Sequence, residues 1–323
     1  MKSLSFAMLV ALVSVATTHG AQAADSFPTK PIRLFVNTAP GGFTDIVARL
    51  VAQHMSEYLK QPIVVENRPG GDGLIGIRAA KSAPPDGYTM LAATGTIAQQ
   101  TALRLDPGYD LAKDFIGIGI LGRAPYLMVV APTQPDKTAA DFLARAKASP
   151  GKLSYASAGV GTVPHFATAA YLQQAGVVVN HVPYKGNSPA LPDVMSGRVD
   201  MIFDTYPSSV SQVKSGKFRV LGVSSATRLA VLPDVPTLAE QGAPGYSFYT
   251  WVGLFVPAGT PKDAVGRLSQ AVKYAKSTSA VKDKFRDEGM EAVELTPEQL
   301  VEFLAKEVAV SRRLVSDLKI EKY

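Results

Sequence analysis

The chain has no cysteine, which excludes disulfide staples, thiolate-held zinc, iron–sulfur clusters, a thiol nucleophile and a lipidated N-terminal cysteine in any compartment. Histidine is scarce too, with four in 323 residues. Beyond the leader they are His54, His165 and His181, with no pair four residues apart and no H-E-x-x-H pattern, so neither a metal site nor another cofactor is expected. Internal repeats and low-complexity tracts are absent, and past the first two dozen residues no apolar run approaches a membrane-spanning length. Lys and Arg outnumber Asp and Glu by 33 to 27, a formal charge of +6, but the two signs are interleaved. Without a basic block, nucleic acid is not an expected partner, and the surplus only modestly favours encounter with anions.

What is present is the composition of a folded protein, 46% hydrophobic and 19% charged, in a length about twice that of an ordinary domain. Residues 1–23 read as an export signal. Lys2 supplies the positive start, Leu4 to Ala16 the apolar stretch, and Ala21-Gln22-Ala23 the small-residue cleavage pattern, so the mature chain begins near Ala24. A membrane anchor fits less well, because the apolar run is short and gives way to Thr17, Thr18 and His19.

From Pro31 onward, short β-branched runs alternate with segments of helical period, the pattern of parallel sheets flanked by helices. Strands are expected at Ile32 to Val36, Ile63 to Glu66, Thr89 to Ala93, Tyr126 to Val130, Leu153 to Ala156, Val177 to Val182, Met201 to Phe203, Arg219 to Val223 and Val252 to Val256. Ile46, Val47, Leu50, Val51, Met55 and Leu59 form one apolar helical stripe. Thr138 with Asp141, and Thr296-Pro297-Glu298-Gln299, mark two further helix starts, the latter opening a helix to about Leu318. Two sets of α/β elements without a flexible tether imply two lobes side by side, crossed by the chain more than once, with a cleft between them.

Gly71-x-Gly73-x-x-Gly76 fits the dinucleotide pattern, but the strand about twenty residues on, Thr89 to Ala93, has no acidic residue for a ribose. Gly117-x-Gly119-x-x-Gly122 leads into Pro125 and an apolar strand, so it reads as chance or turn chemistry. Ser157, His165 and Asp204 could converge as nucleophile, base and orienting acid, yet Ser157 lies between Ala156 and Ala158 without a G-x-S-x-G elbow. Three glycine turns between strand and helix say more: Pro40 to Asp45, Arg68 to Gly71, and Ser157 to Thr162. Such turns either serve geometry alone or present backbone amides and a helix N-terminus to a carboxylate or phosphate, with Thr44, Ser157 and Thr162 as added donors.

Several ordered segments resemble the periplasmic solute receptors of tripartite tricarboxylate transporters, the Bug-type receptors. They include Phe27-Pro28-Thr29-Lys30-Pro31, Ala39-Pro40-Gly41-Gly42 with Thr44-Asp45, Val64-Val65-Glu66-Asn67-Arg68-Pro69-Gly70, Pro85-Asp86-Gly87-Tyr88, Pro183-Tyr184-Lys185-Gly186, Leu232-Pro233-Asp234-Val235-Pro236-Thr237 and Pro257-Ala258-Gly259-Thr260-Pro261. The resemblance covers essentially the whole mature chain. It implies an α/β fold of the two-lobed periplasmic binding protein kind, type II-like, each lobe a mainly parallel sheet flanked by helices. Lobe 1 would comprise residues 24–123 and 250–323, and lobe 2 residues 124–249. It further implies a monomeric periplasmic receptor, not an enzyme, that closes over a small carboxylate and delivers it to integral membrane subunits of a tripartite tricarboxylate transporter. A sensory receptor for a signalling partner, and a serine esterase using Ser157 and His165, are the alternatives.

The implied ligand-binding residues are Pro40, Gly41, Gly42, Phe43, Thr44, Asp45, Thr94, Ser157, Gly159, Thr162, His165 and Asp204, with Lys185 bracing lobe 2. Two departures from the family bear on specificity: Asn37-Thr38 stands where it often has Pro-Phe, and Phe43 where it usually has a small or polar residue, Phe43 either stacking on an aromatic acid, narrowing the pocket, or packing beneath its turn. Arg123 and Tyr126 either set specificity by meeting a second carboxylate or an aromatic ring, or lie on the surface. A dicarboxylate or an aromatic carboxylate is the expected ligand class.

Overall fold

The computed structural model describes residues 27–323, so the expected export signal lies outside the described residues. In chain order the elements are β1 (Ile32–Val36), α1 (Phe43–Leu59), β2 (Ile63–Asn67), α2 (Leu74–Lys81), β3 (Thr89–Thr94), α3 (Thr96–Leu103), α4 (Leu111–Asp114) and β4 (Phe115–Val130). These are followed by α5 (Ala139–Ala148), β5 (Ser154–Ser157), α6 (Val163–Gln174), β6 (Asn180–Pro183), α7 (Leu191–Met195), β7 (Met201–Thr205), α8 (Tyr206–Lys214) and β8 (Arg219–Val223). β9 (Tyr249–Pro257), α9 (Lys262–Ser277), α10 (Ser279–Asp287) and α11 (Pro297–Asp317) complete the chain.

The strands run in the order β2-β1-β3-β9-β4-β7-β5-β6, with β8 branching from β4. This path divides into two lobes at β4. Residues from Phe115 to Pro125 pair antiparallel with β9, while Tyr126 to Val129 pair antiparallel with β7. Away from this seam the pairs are parallel, β1 with β2 and β3 in one lobe and β5 with β6 and β7 in the other. Each sheet is apolar on both faces, as parallel sheets covered by helices must be. Ile32, Leu34 and Val36 meet α1 and α9 on one side, whereas Phe35, Leu91 and Ala93 meet Leu74, Ile77 and Ile97 on the other. In the second lobe Met128 and Phe203 pack with Phe142 and Tyr171, and Leu127 and Ile202 with Leu191 and Val194. A small cluster of Ala102, Leu103, Phe166 and Val315 joins α3 and α11 of one lobe to α6 of the other.

Local signals place the helix ends. Thr138 and Asp141 form a reciprocal capping box at α5, and Thr296 with Gln299 forms another at α11, satisfying amides that the helix itself leaves free. α1 buries the expected stripe, including Val47, Val51, Met55 and Leu59, and terminates at Lys60 in a left-handed conformation.

The largest departure from the sequence expectation is β4, which starts eleven residues before Tyr126, at Phe115. Glycine has weak strand propensity and hides this stretch, but Gly117 and Gly122 serve contact with helices. A Cβ at Gly117 would lie 2.8 Å from Leu300 Cδ2, and one at Gly122 would lie 2.5 Å from Phe285 Cε2. Register shifts beside them bend the strand. The other glycine pattern has a similar cause: a Cβ at Gly76 would lie 2.8 Å from Asn37 Cα, so these glycines seat α2 on the end of β1.

Gly122→Ala should therefore destabilise the fold by about 1–3 kcal/mol through overpacking against the Phe285 ring. Urea unfolding of the single variant and of Gly122→Ala with Phe285→Leu checks this, the second change recovering part of the loss.

Candidate functional site

The lobes enclose a cleft of about 660 Å³, its mouth included, at the carboxyl ends of the parallel strands. Open α/β sheets bind ligands at this edge, because loops and helix N-termini gather there. From lobe 1 the walls are built by Asn37 and Thr38 after β1, by Gly42, Phe43 and Thr44 at the start of α1, and by Thr94 and Thr96 between β3 and α3. From lobe 2 they are built by Thr162 and Pro164 at the start of α6, by Lys185 and Asn187, and by Asp204 and Thr205 at the end of β7.

Two features give this cleft its chemistry. First, α1, α6 and α8 begin on its wall at Gly42, Thr162 and Thr205, and none of these residues caps its helix with its own side chain. Val163 N of α6 donates to Thr96 Oγ1 at 3.4 Å, and Pro164 and Pro207 have no N–H to offer; the remaining amides and the helix dipoles favour negative charge. Second, five wall residues hold buried polar atoms with no partner in the protein: both amide atoms of Asn37, Thr38 Oγ1, Asn187 Oδ1, Asp204 Oδ2 and Thr205 Oγ1. Each such atom costs about 1–3 kcal/mol if left without a hydrogen bond, so their concentration on both walls marks a place for a polar ligand.

Among the described wall residues the charged side chains are Asp72, Lys185 and Asp204. Asp72 accepts a hydrogen bond from Arg104 Nη2 at 2.8 Å, and Lys185 is exposed at the mouth. Asp204 is 1% exposed; burial pushes its pKa up to about 6, against Asn187, Ser208 and the Thr205 amide, which favour the charged form.

A sequence profile described as tripartite tricarboxylate transporter family receptor matches residues 47–320. The chain belongs to this receptor family. Protein BugT of Bordetella pertussis is 32% identical over 287 residues, 88% of each chain. A Rhodopseudomonas palustris protein solved with adipate is 32% identical, with a TM-score of 0.89 over 92% of this chain and all of its own. MatC from Rhodopseudomonas palustris, solved with bound malate, is 31% identical, with a TM-score of 0.84 over 90% of this chain and all of its own.

In this family member, Gly42, Phe43, Thr44, Thr94, Tyr126, Thr162 and Asp204 of the expected site residues lie on the cleft wall. The others do not. Pro40 and Gly41 are exposed outside it. Asp45 faces back into its own turn; burial raises its pKa, but hydrogen bonds from Arg49, the Gly41 amide and Asn67 outweigh this and hold it below the usual range. Arg123 is a surface residue paired to Glu291 at 2.6 Å. Gly159 is buried behind the wall, its carbonyl accepting from Thr162 Oγ1 at 2.7 Å. Lys185, expected to brace lobe 2, also lines the cleft and is exposed. Phe43 lines the cleft while packing into the core beneath its turn.

Ser157, His165 and Asp204 do not assemble as a catalytic relay. Ser157 Oγ is fully buried, 2.6 Å from His181 Nε2 and bonded to the Gly159 backbone. His165 Nδ1 accepts from the Gly161 amide, and its ring stacks on His181 with centroids 4.1 Å apart. Burial lowers the pKa of His165 to about 3, with His181 adding to the effect, and lowers that of His181 to about 4. These rings therefore brace the 157–162 turn as neutral groups.

That turn is also where the lobes lock. Asp72 Oδ1 accepts from Val160 N at 3.2 Å, and Gln100 Nε2 donates to Val160 O at 2.8 Å. Arg104 holds Asp72 and lies over the ring of the C-terminal Tyr323 at 4.3 Å. Asn37 and Thr38 stood out in the sequence only as a departure from the family's usual Pro-Phe; Thr96, Asn187 and Thr205 carried no motif of their own, and their one signal was a position at or near a strand end.

Asp72→Ala should loosen the lobes, giving a larger radius of gyration by small-angle X-ray scattering than the unaltered ligand-free protein. The two histidines have folded pKa values below the ordinary 6.5, so the unfolded chain binds protons that the folded one does not, and stability falls as pH drops from about 6.5 toward 4. His181→Phe should remove about one proton from that slope, or about 1.4 kcal/mol per pH unit, in denaturant titrations across this range.

Proposed function

We propose that this receptor is exported to the periplasm, closes its lobes over a small aliphatic dicarboxylate, and delivers it to integral membrane subunits of a tripartite tricarboxylate transporter. The observation that carries the reading is the set of buried, unpartnered polar atoms on both walls, beside the N-termini of three helices. Backbone dipoles at that point offset anionic charge without an arginine, and Lys185 at the mouth suits a second carboxylate. Adipate and malate, bound by two relatives, are both small dicarboxylates, which favours this class over aromatic acids. Phe43 agrees with that choice, since its ring is engaged in the core of lobe 1.

In this reading residues 24–123 with 250–323 move against residues 124–249, hinged where β4 and β9 cross. Closure removes water from the anion and strengthens each dipole contact, and the closed surface is what the membrane subunits recognise. The receptor acts as a monomer and performs no chemistry on its ligand.

A thermal-shift screen of mono-, di- and tricarboxylates tests the proposal. Short aliphatic dicarboxylates should raise the melting temperature, since a ligand of the folded state stabilises it by mass action. Asn37→Ala should weaken the best ligand about 10- to 100-fold, equivalent to roughly 1–3 kcal/mol for a lost buried partner. Silence across the panel, with no copurified carboxylate in native mass spectrometry, would overturn the reading.

A further inference from the structure

Asp204 is the one wall residue whose chemistry opposes the rest of the site. It is the penultimate residue of β7, is 1% exposed, and its Oδ1 accepts from Asn187 Nδ2 at 2.9 Å, while Oδ2 is buried without a well-formed hydrogen bond and the nearby Ser208 Oγ is unpartnered too. The neighbouring wall atoms Thr205 Oγ1 and Asn187 Oδ1 are also without partners. An ionised Asp204 would present an acceptor-only group to the acceptor-only oxygens of a carboxylate, inside a buried cleft where like charges repel strongly.

Ser208 and the Thr205 amide at the start of α8 favour the charged form, but the charged and titratable groups around Asp204 do not remove that conflict. Tyr126 on β4 shares the wall, a neutral phenol whose pKa is raised by burial and by Asp204 itself. Tyr155 on β5, Tyr171 and His165 on α6, and His181 on β6 are neutral groups behind the wall. Tyr206 and Lys214 belong to α8, and Asp193 of α7 accepts from Tyr184 while pairing with Arg198. Across the cleft Asp72 is paired to Arg104. Lys185, at the exposed mouth, is the cation on the described wall.

We propose that Asp204 engages its ligand as the neutral acid, donating a hydrogen bond from protonated Oδ2 to a ligand carboxylate oxygen, so that one proton enters the cleft with each dicarboxylate. The proton comes from solvent and bonds to Oδ2; no other bond is made or broken. This inference rests on the dicarboxylate reading of the cleft and gives it a selectivity rule: the receptor selects anions able to accept from an acid. The raised pKa of about 6 agrees with the geometry. Above that pH the free receptor must first take up the proton, so affinity falls about tenfold per pH unit, whereas below it affinity levels off.

The test is isothermal titration calorimetry of succinate, glutarate, adipate and malate at pH 5.5 to 8, in buffers of different ionisation enthalpy, so that proton uptake is counted directly. The expected result is uptake of about a quarter of a proton at pH 5.5, approaching one proton at pH 8, with roughly 50-fold weaker binding at pH 8 than at pH 6. Asp204→Asn, whose amide donates at any pH, should bind with no uptake and a flat pH profile. Binding without proton uptake, or uptake that persists in Asp204→Asn, overturns the inference and leaves the dicarboxylate receptor intact. Should none of the four acids bind at any pH, the dicarboxylate reading fails and this inference falls with it. If Asp204→Asn fails to fold by circular dichroism, the proton count of the unaltered protein still decides the matter.

Discussion

The antiparallel pairing of β4 with β9 is the constraint on which the rest of the molecule depends. These strands pair from Phe115 with Pro257 to Pro125 with Tyr249, and β4 then continues to pair with β7 and β8 in the other lobe. One strand thus belongs to both sheets, and it brings the carboxyl ends of the parallel strands of both lobes to opposite sides of one cleft. Every wall element of the site, from Asn37 after β1 to Thr205 after β7, takes its place from that arrangement.

The cleft handles charge mainly with backbone. Its three helix N-termini supply partial positive charge through amides that move only with whole helices, so little reorganisation is needed when an anion arrives. The same dependence on aligned backbone explains why so few charged side chains line it. Where an ionisable group does occur, burial decides its state: His165 and His181 are held neutral behind the turn, and Asp204 is pushed toward its neutral form on the wall. The hydrogen-bonding atoms left without partners on the wall belong to Asn37, Thr38 and Thr205 and to Asn187 Oδ1, the Asn187 amide nitrogen being held by Phe203 O and Asp204.

Much of the scaffold was legible because short-range rules produced it. β1 and β8 run as expected, and the boxes at Thr138 and Thr296 cap the helices they announced. The beginning of β4 was illegible, since its glycines answer to Leu300 and Phe285, residues far away in sequence. The site was legible where glycine turns lead into α1 and α6. It was not where ordinary polar residues lie at or near a strand end, as at Thr96 and Thr205, because nothing local separates a wall residue from a solvated loop residue.

Sequence alone determined the α/β alternation, the two-lobed receptor resemblance and the turns at Pro40 and Ser157, since periodicity, capping and turn chemistry act over a few residues. Only the tertiary structure decided which groups share the cleft. It turned Asp45 inward to Arg49 and Ser157 onto His181, placed Arg123 outside with Glu291, and brought Asn37, Asn187 and Asp204 together on opposing walls. Such juxtapositions depend on how two lobes meet across β4 and β9, and burial, which sets the charge of Asp204, exists only once they have met.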